Sequence, residues 1–362
     1  MEPAGAAVRT LAFVESPVQL LNVLEWDHAH RAGAAGEGRA ERPTVVVLPP
    51  LDPMSRGQLR RMAELARDEG MTVRWQEARG GANAPVRTVR ELAPLIRRAR
   101  RIVIGDPFSR YVHLLVGLGR ARDLVVVDDG TATTEFVTLL ATGRPLVRWH
   151  RRAGRRGPRE LLLGPVTAAA RRRLTPDARG RRTVTVFTAM PLPDGAPPGV
   201  RVAANDLAWT RSRFGPPRLT GGADLVGTSL VETGVVDPER YLEAVRALAA
   251  AHHVTRYFAH RRESAAKLRR LSEETGLEIV RPDLPLELIA RRGPVGRTIL
   301  SFPSTVVHTL PLALADTGSE VAICDVDPSW LTPHASARAA GFLSGVTGTA
   351  RDVHRLRSVR AA

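Results

Sequence analysis

The sequence predicts a doubly wound α/β protein built from two Rossmann-like domains facing a cleft, and three observations carry that prediction. Short β-branched apolar runs such as Leu124-Val125-Val126-Val127 recur along the chain and read as buried strands of a parallel sheet. Stretches with helical periodicity, Gly57–Glu69 and Thr88–Arg100 among them, fall between the runs. At 362 residues the chain is also too long for one ordinary core and comfortable for two domains of roughly 150–200 residues.

The first half alternates strand and helix. Strands are expected at Thr10–Val14, Thr44–Leu48, Thr72–Trp75, Arg101–Ile104 and Leu124–Val127. Ser16-Pro17 and Asp106-Pro107 each place a capping side chain before a proline at a first helical position. An arginine-rich stretch then interrupts, and the pattern resumes at Thr183–Thr188. Further strands are expected at Leu225–Gly227, Val254–Ala259, Leu277–Val280, Thr298–Phe302 and Val321–Cys324. Asp237-Pro238 caps a helix expected to run to about Ala251. Met190–Pro217 is rich in proline and glycine and reads as a long loop. No repeat is visible, and the interruption puts the expected domain boundary between residues 182 and 183.

Composition narrows the class. Hydrophobic residues make up 43%, as in a globular protein, and no apolar stretch is long enough to span a bilayer. The N-terminus shows no signal-peptide pattern. With one cysteine, Cys324, there is no intrachain disulfide framework, so a cytoplasmic protein is expected. The net charge of +16 is almost all arginine, and Lys267 is the sole lysine. Between Arg144 and Arg182 thirteen arginines face only Glu160 and Asp177, a net of +11. Such a stretch is a solvated face or a contact for an acidic glycan or the anionic inner face of a membrane. Nucleic acid is not expected, because the only aromatic residue there is Trp149 and base stacking needs interleaved rings.

Familiar nucleotide motifs are missing. Gly117-Leu118-Gly119 lacks a third glycine and precedes a strand instead of following one; no Walker A or GxSxG sequence occurs. His252-His253 has no HExxH-like context, so no metal site is expected. Four strand ends remain. Asp128-Asp129-Gly130 follows Val127, and in open α/β sheets ligands bind just outside such carboxyl ends. Two adjacent carboxylates suit general-base work, since crowding raises one pKa, although Asp128 could equally cap the next helix. His260 follows Tyr257-Phe258-Ala259 and could donate to a leaving group, or be a surface histidine in a basic turn. Ser304-Thr305 precedes the apolar helix Val306–Leu314, where two hydroxyls and free amides can hold an anion or simply cap the helix. Glu287, in Pro285-Leu286-Glu287, could accept from ribose hydroxyls or be an ordinary first-turn glutamate.

In this order the pieces resemble the bacterial GT-B sialyltransferases and α-2,8-polysialyltransferases. That group carries an acidic-acidic-Gly motif, a His-Pro motif and a Ser-Ser or Ser-Thr helix start, matched here by Asp128-Asp129-Gly130, His260 and Ser304-Thr305. Glu15-Ser16-Pro17-Val18-Gln19-Leu20-Leu21-Asn22, Gly105-Asp106 and Pro285–Glu287 are similar to the polysialyltransferase-like branch. The resemblance spans roughly Leu11 to Asp325. One departure is that Arg261 stands where the motif has proline.

The resemblance implies an inverting, metal-independent transferase that uses CMP-sialic acid, or a related CMP-nonulosonate, as co-substrate and needs no cofactor. Residues 1–182 would be the acceptor side and 183–362 the CMP-donor domain. Asp128 would act as base and His260 as acid. Ser304, Thr305 and Glu287 would hold the donor, with Asp129 and Gly130 beside them. Ser16, Gln19, Asn22 and Gly105 would be further substrate contacts. Two other readings stay open: a GT-B enzyme using CMP-Kdo or a UDP-sugar, and a noncatalytic nucleotide- or polyanion-binding protein of the same fold.

Overall fold

The computed structural model describes residues 10–33, 41–81, 83–147, 158–177, 179–192 and 194–356, with backbone alone at 158–163 and 337–338. The chain divides into two compact units, Met1–Asn205 and Asp206–Ala362.

The first unit is a seven-stranded parallel sheet. Its strands are β1 (Thr10–Val14), β2 (Thr44–Val47), β3 (Thr72–Trp75), β4 (Arg101–Ile104), β5 (Asp123–Val127), β6 (Thr183–Thr188) and β7 (Val200–Ala204). They lie in the order β3-β2-β1-β4-β5-β6-β7, so the direction of winding reverses between β1 and β4. Helices α1 (Pro17–Gly33), α2 (Pro53–Asp68), α3 (Ala84–Arg98), α4 (Arg110–Leu118), α5 (Thr131–Ala141) and α6 (Pro158–Leu174) make the connections. The apolar runs form the core: every residue of β1 is buried, as are Val45–Val47, Ile102–Ile104 and Leu124–Val127. Continuous burial on both faces is what a parallel sheet covered by helices requires.

The second unit repeats the plan with six parallel strands: β8 (Leu219–Val226), β9 (Val254–Phe258), β10 (Glu278–Val280), β11 (Val295–Ser301), β12 (Glu320–Cys324) and β13 (Val353–Leu356). Their order is β10-β9-β8-β11-β12-β13, with the reversal between β8 and β11. Its helices are α7 (Ala208–Arg213), α8 (Pro238–His252), α9 (Ala265–Thr275), α10 (Leu286–Arg292), α11 (Val306–Ala313) and α12 (Ala337–Thr349). Ligands of doubly wound sheets bind outside the carboxyl ends of the strands at such reversals. In each unit that rule points to one edge of the sheet.

Several sequence expectations change. The first sheet continues past residue 182: β6 and β7 pair parallel in it, and the division falls at Asn205/Asp206. Met190–Pro217 is not one loop but holds β7 and α7; β7 is an exposed edge strand behind Pro197-Pro198-Gly199, so its pattern carries little apolar signal. Asp106 does not start a helix. It accepts the Phe108 amide in a tight turn (2.8 Å), and Ser109 caps α4 instead. Ser16 and Asp237 do cap α1 and α8. The basic stretch is only partly described: Arg148, Arg151, Arg152, Arg155 and Arg156 lie outside the described residues. Of the rest, Arg182 donates to the carbonyls of Arg172, Arg173 and Thr175 at the end of α6, and Arg173 donates to Ala121. Part of the charge therefore closes a helix end. Among the described residues no helix is long and apolar enough to cross a membrane.

Candidate active site

At the carboxyl edge of the first sheet the chain leaves β5 into Asp128. That side chain does not cap α5. It turns across to the end of β6, where Oδ1 accepts the Thr188 hydroxyl and Oδ2 the Ala189 amide, both at 2.6 Å. Asp128 is 3% exposed, and burial pushes its carboxyl up to about 6 against the lowering effect of Thr188, Ala189 and Thr133; the nearby charge of Asp129 adds a smaller upward push. A buried carboxylate with a pKa near neutrality is poised to take a proton. Asp129 lies half-buried, and its amide donates to Thr133 Oγ1 (3.2 Å). Gly130 has φ +61° and ψ −129°, a conformation that side chains resist, so the turn from strand to helix needs glycine there.

The motif at the end of β1 supports this edge from behind. Gln19 is buried, and its Oε1 accepts the Glu15 amide (2.8 Å). A Cβ on Gly105 would overlap the Gln19 side chain, so glycine at the end of β4 makes room for it. Asn22, buried on α1, donates to the Asp128 main-chain oxygen (3.0 Å) and accepts from Asn205 Nδ2 (2.9 Å). Ser16 Oγ accepts the Gln19 amide (3.3 Å). The Gln19 side-chain oxygen and both polar atoms of the Asn22 side chain are thus engaged inside the protein, where they hold this edge together. Glu15 is gripped by Arg79, which also donates to the carbonyls of Leu48 and Pro49; burial nonetheless raises the Glu15 carboxyl above the usual range.

In the second unit His260 follows β9, Ser304 and Thr305 follow β11, and Glu287 opens α10. His260 is partly buried, and its Nδ1 accepts the Arg262 amide (3.2 Å), which leaves the ring proton on Nε2. Burial, then Arg261, Arg262 and Lys267, lower its pKa to about 4, so the free protein presents a neutral Nε2–H donor at pH 7 and not the expected imidazolium acid. Ser304 does not cap α11. Its hydroxyl is 3.4 Å from that of Ser301, and Thr305 at the N-cap makes no side-chain capping bond. The other end of α11 is pinned: Arg211 donates to Leu312 (2.9 Å), and buried Arg291 donates to Ala313 (3.2 Å) and Ala315 (3.3 Å). Two guanidiniums thus satisfy the helix carboxyl end while its first amides have no capping side chain, as an anion site requires. Phe302, just ahead of Ser304, is locked against Tyr241 (5.1 Å between centroids) and Trp330 (6.5 Å). Glu287 is buried, and Thr309 of α11 donates to its Oε1 (2.6 Å).

Sequence reasoning missed Thr188, Asn205, Thr309 and the group around Glu263. Thr188, Asn205 and Thr309 belong to no motif and reveal themselves only as partners of residues distant in the chain, whereas Glu263 is bonded to Tyr257, His260 and Lys267, all within six residues of it. Among the described residues no group of three or more His, Cys, Asp or Glu side chains is placed to hold a metal ion.

No protein-family model matches the chain, and no curated protein matches it in sequence. Solved structures do. An alpha/beta-galactoside alpha-2,3-sialyltransferase from Photobacterium phosphoreum superposes with TM-score 0.51 at 9% identity, over 97% of this chain and 99% of that one. A protein from Listeria monocytogenes, classed as a candidate UDP-N-acetylglucosamine 2-epimerase, gives TM-score 0.50 at 12% identity, over 88% of this chain and 79% of that one. The architecture is therefore that of the GT-B class, two parallel-sheet α/β units of seven and six strands.

Proposed function

We propose that the protein is an inverting glycosyltransferase that takes sialic acid, or a related nonulosonic acid, from a CMP-activated donor. The observation that carries this reading is Asp128: a buried carboxylate at the end of a parallel strand, held by Thr188 and Ala189 and pushed up to about 6. The order of the strand-end motifs and the likeness of fold to a sialyltransferase support the choice of donor.

In this mechanism Asp128 removes the proton from an acceptor hydroxyl as that oxygen attacks the anomeric carbon. The bond from that carbon to the phosphate oxygen breaks on the opposite face, which inverts the centre, and CMP departs. His260 Nε2–H donates to the leaving phosphate, whose negative charge raises the imidazole pKa once it is bound. The amides and hydroxyls at Ser304-Thr305 take the rest of the phosphate charge, and Glu287, with one oxygen held by Thr309, accepts from the ribose. One departing phosphate can be stabilised by a helix start and an imidazole, so the proposed reaction uses no divalent metal. Incubation with a panel of nucleotide sugars, with nucleotide release followed by chromatography in the presence and absence of EDTA, tests the reading. CMP should appear from CMP-sialic acid at a rate that EDTA leaves nearly unchanged, and strong Mg²⁺ or Mn²⁺ dependence contradicts it.

A further inference from the structure

Of the 53 lysine and arginine residues in the chain, Lys267 alone is lysine. It is not a surface charge. Its side chain is 14% exposed on α9, and its ammonium reaches four partners. Nζ lies 2.7 Å from Glu263 Oε1 and 3.5 Å from Glu232 Oε2, donates to the Thr228 carbonyl (3.2 Å), and sits 4.1 Å from the Tyr241 ring centre. A compact ammonium can point at all of these, whereas a planar guanidinium spreads its donors in one plane.

The partner that matters is Glu263, whose side chain is fully buried. Tyr257 donates its hydroxyl to Oε1 (2.6 Å) and is itself hydrogen-bonded to Tyr241 (2.6 Å). Oε2 accepts the main-chain amide of His260 (2.6 Å). Burial pushes the Glu263 carboxyl up and Lys267 pulls it back. Gly227, at the end of β8, leaves room for this arrangement, since a Cβ there would overlap both Glu263 and the Tyr257 hydroxyl. Elements from β8, β9, α8 and α9 thus converge under one short turn, the one that carries His260.

We propose that Lys267 is a positioning residue for His260: it holds Glu263 as a buried carboxylate, and Glu263 fixes the amide from which the imidazole is presented. This rests on the reading of His260 as the donor to the leaving phosphate, but its test needs no substrate. The charged groups around the imidazole are Arg261 and Arg262 on its own turn, Lys267 on α9, and Glu263 at its amide. Removing Lys267 takes away one cation and loosens the turn that keeps the ring buried, and both effects raise the His260 pKa.

Two quantities are read in the nucleotide-free protein. One is the titration of the His260 ring by NMR with ¹³C-labelled histidine, assigned by its loss in His260→Asn. The other is hydrogen exchange of the His260 amide. In Lys267→Met the titration midpoint should rise by about half a pH unit or more. His260 amide protection should fall at least tenfold while the β9 amides keep theirs. If Lys267→Met does not fold, Lys267→Arg is read in its place; it keeps the charge but not the compact geometry, and the same loss of amide protection is expected. Unchanged protection and midpoint in the folded Lys267→Met protein, or unchanged protection in Lys267→Arg where that protein stands in, overturn the proposal. Failure of sialyl transfer with these shifts present instead counts against the assigned reaction alone.

Discussion

Asn22 on α1 donates its side-chain amide to the main-chain oxygen of Asp128, 106 residues further along the chain, at 3.0 Å. The same Asn22 accepts from Asn205, the last residue of the first unit, at 2.9 Å. The first helix and the end of the last strand are thereby tied to the backbone of the strand-end carboxylate. All three residues are buried, and a buried amide left without a partner costs about 1–3 kcal/mol, so the tie resists opening. Asp128 is held in this way at its backbone by Asn22 and at its carboxylate by Thr188 and Ala189.

The carboxylate must be ionised to act as a base. With its pKa near 6, kcat/KM should rise with pH along a limb centred near 6. Thr188→Val removes a hydrogen bond that favours the ionised form, so the limb should move to higher pH, and Thr188→Ser should restore it. The pH–rate profiles of the three proteins check this.

Stability should run against function at this residue. The Asp128 pKa is raised from its ordinary 3.8 to about 6, so the folded state binds the proton more tightly than the unfolded chain. The stabilisation from that proton is full below pH 4 and is lost as pH rises through 6. Asp128→Asn should therefore be more stable than the parent at pH 7–8, by about 1–3 kcal/mol, with the gap closing near pH 4. An asparagine can keep both bonds, accepting from Ala189 and donating to Thr188 Oγ1, which already accepts the Met190 amide. Thermal unfolding across pH measures the effect.

At the second unit, Ser304→Ala with Thr305→Ala should weaken CMP binding measured by calorimetry, while Asp128→Asn leaves it nearly intact. His260→Ala should lower kcat by roughly 10²-fold or more, the usual scale of a lost proton donor. These variants do not disturb the helix anchors, because Arg211 and Arg291 hold the other end of α11.

The basic stretch gives a separate expectation. Arg173 and Arg182 are spent on carbonyls and Arg181 pairs with Asp177, and the other arginines are proposed to meet an acidic glycan or anionic lipid, at about 1 kcal/mol for each engaged side chain. Replacing Arg151, Arg152, Arg155 and Arg156 with serine should reduce sedimentation with anionic vesicles, or affinity for an acidic acceptor, at low salt. Equal binding by the parent and the variant at low salt contradicts the contact.

Much of the fold was legible because parallel strands buried on both faces are written as continuous apolar runs; Thr10–Val14, Arg101–Ile104 and Thr183–Thr188 fall where the runs place them. Of the four edge strands, β3 and β10 were placed from the sequence, whereas β7 and β13, largely exposed and without an apolar run, were not. The domain boundary was misplaced for a related reason: the arginine stretch looks like a linker, yet β6 beyond it pairs with β5 across 60 residues. In the site, residues next to strand ends could be found by position. Their partners Thr188, Asn205 and Thr309 could not, because hydrogen bonds between distant segments leave no local pattern; Glu263 and Lys267, an i,i+4 pair beside His260, lay within local reach.

The most direct test is the rate of CMP formation from CMP-sialic acid, with a mixed glycan acceptor in EDTA, compared between the parent protein and Asp128→Asn. The parent should release CMP steadily and only with acceptor present, should release no comparable nucleotide from UDP- or GDP-sugars, and should lose roughly 10²-fold or more of its rate in Asp128→Asn. Turnover of a UDP- or GDP-sugar in its place, or CMP release that survives the loss of Asp128, would contradict the proposed reaction.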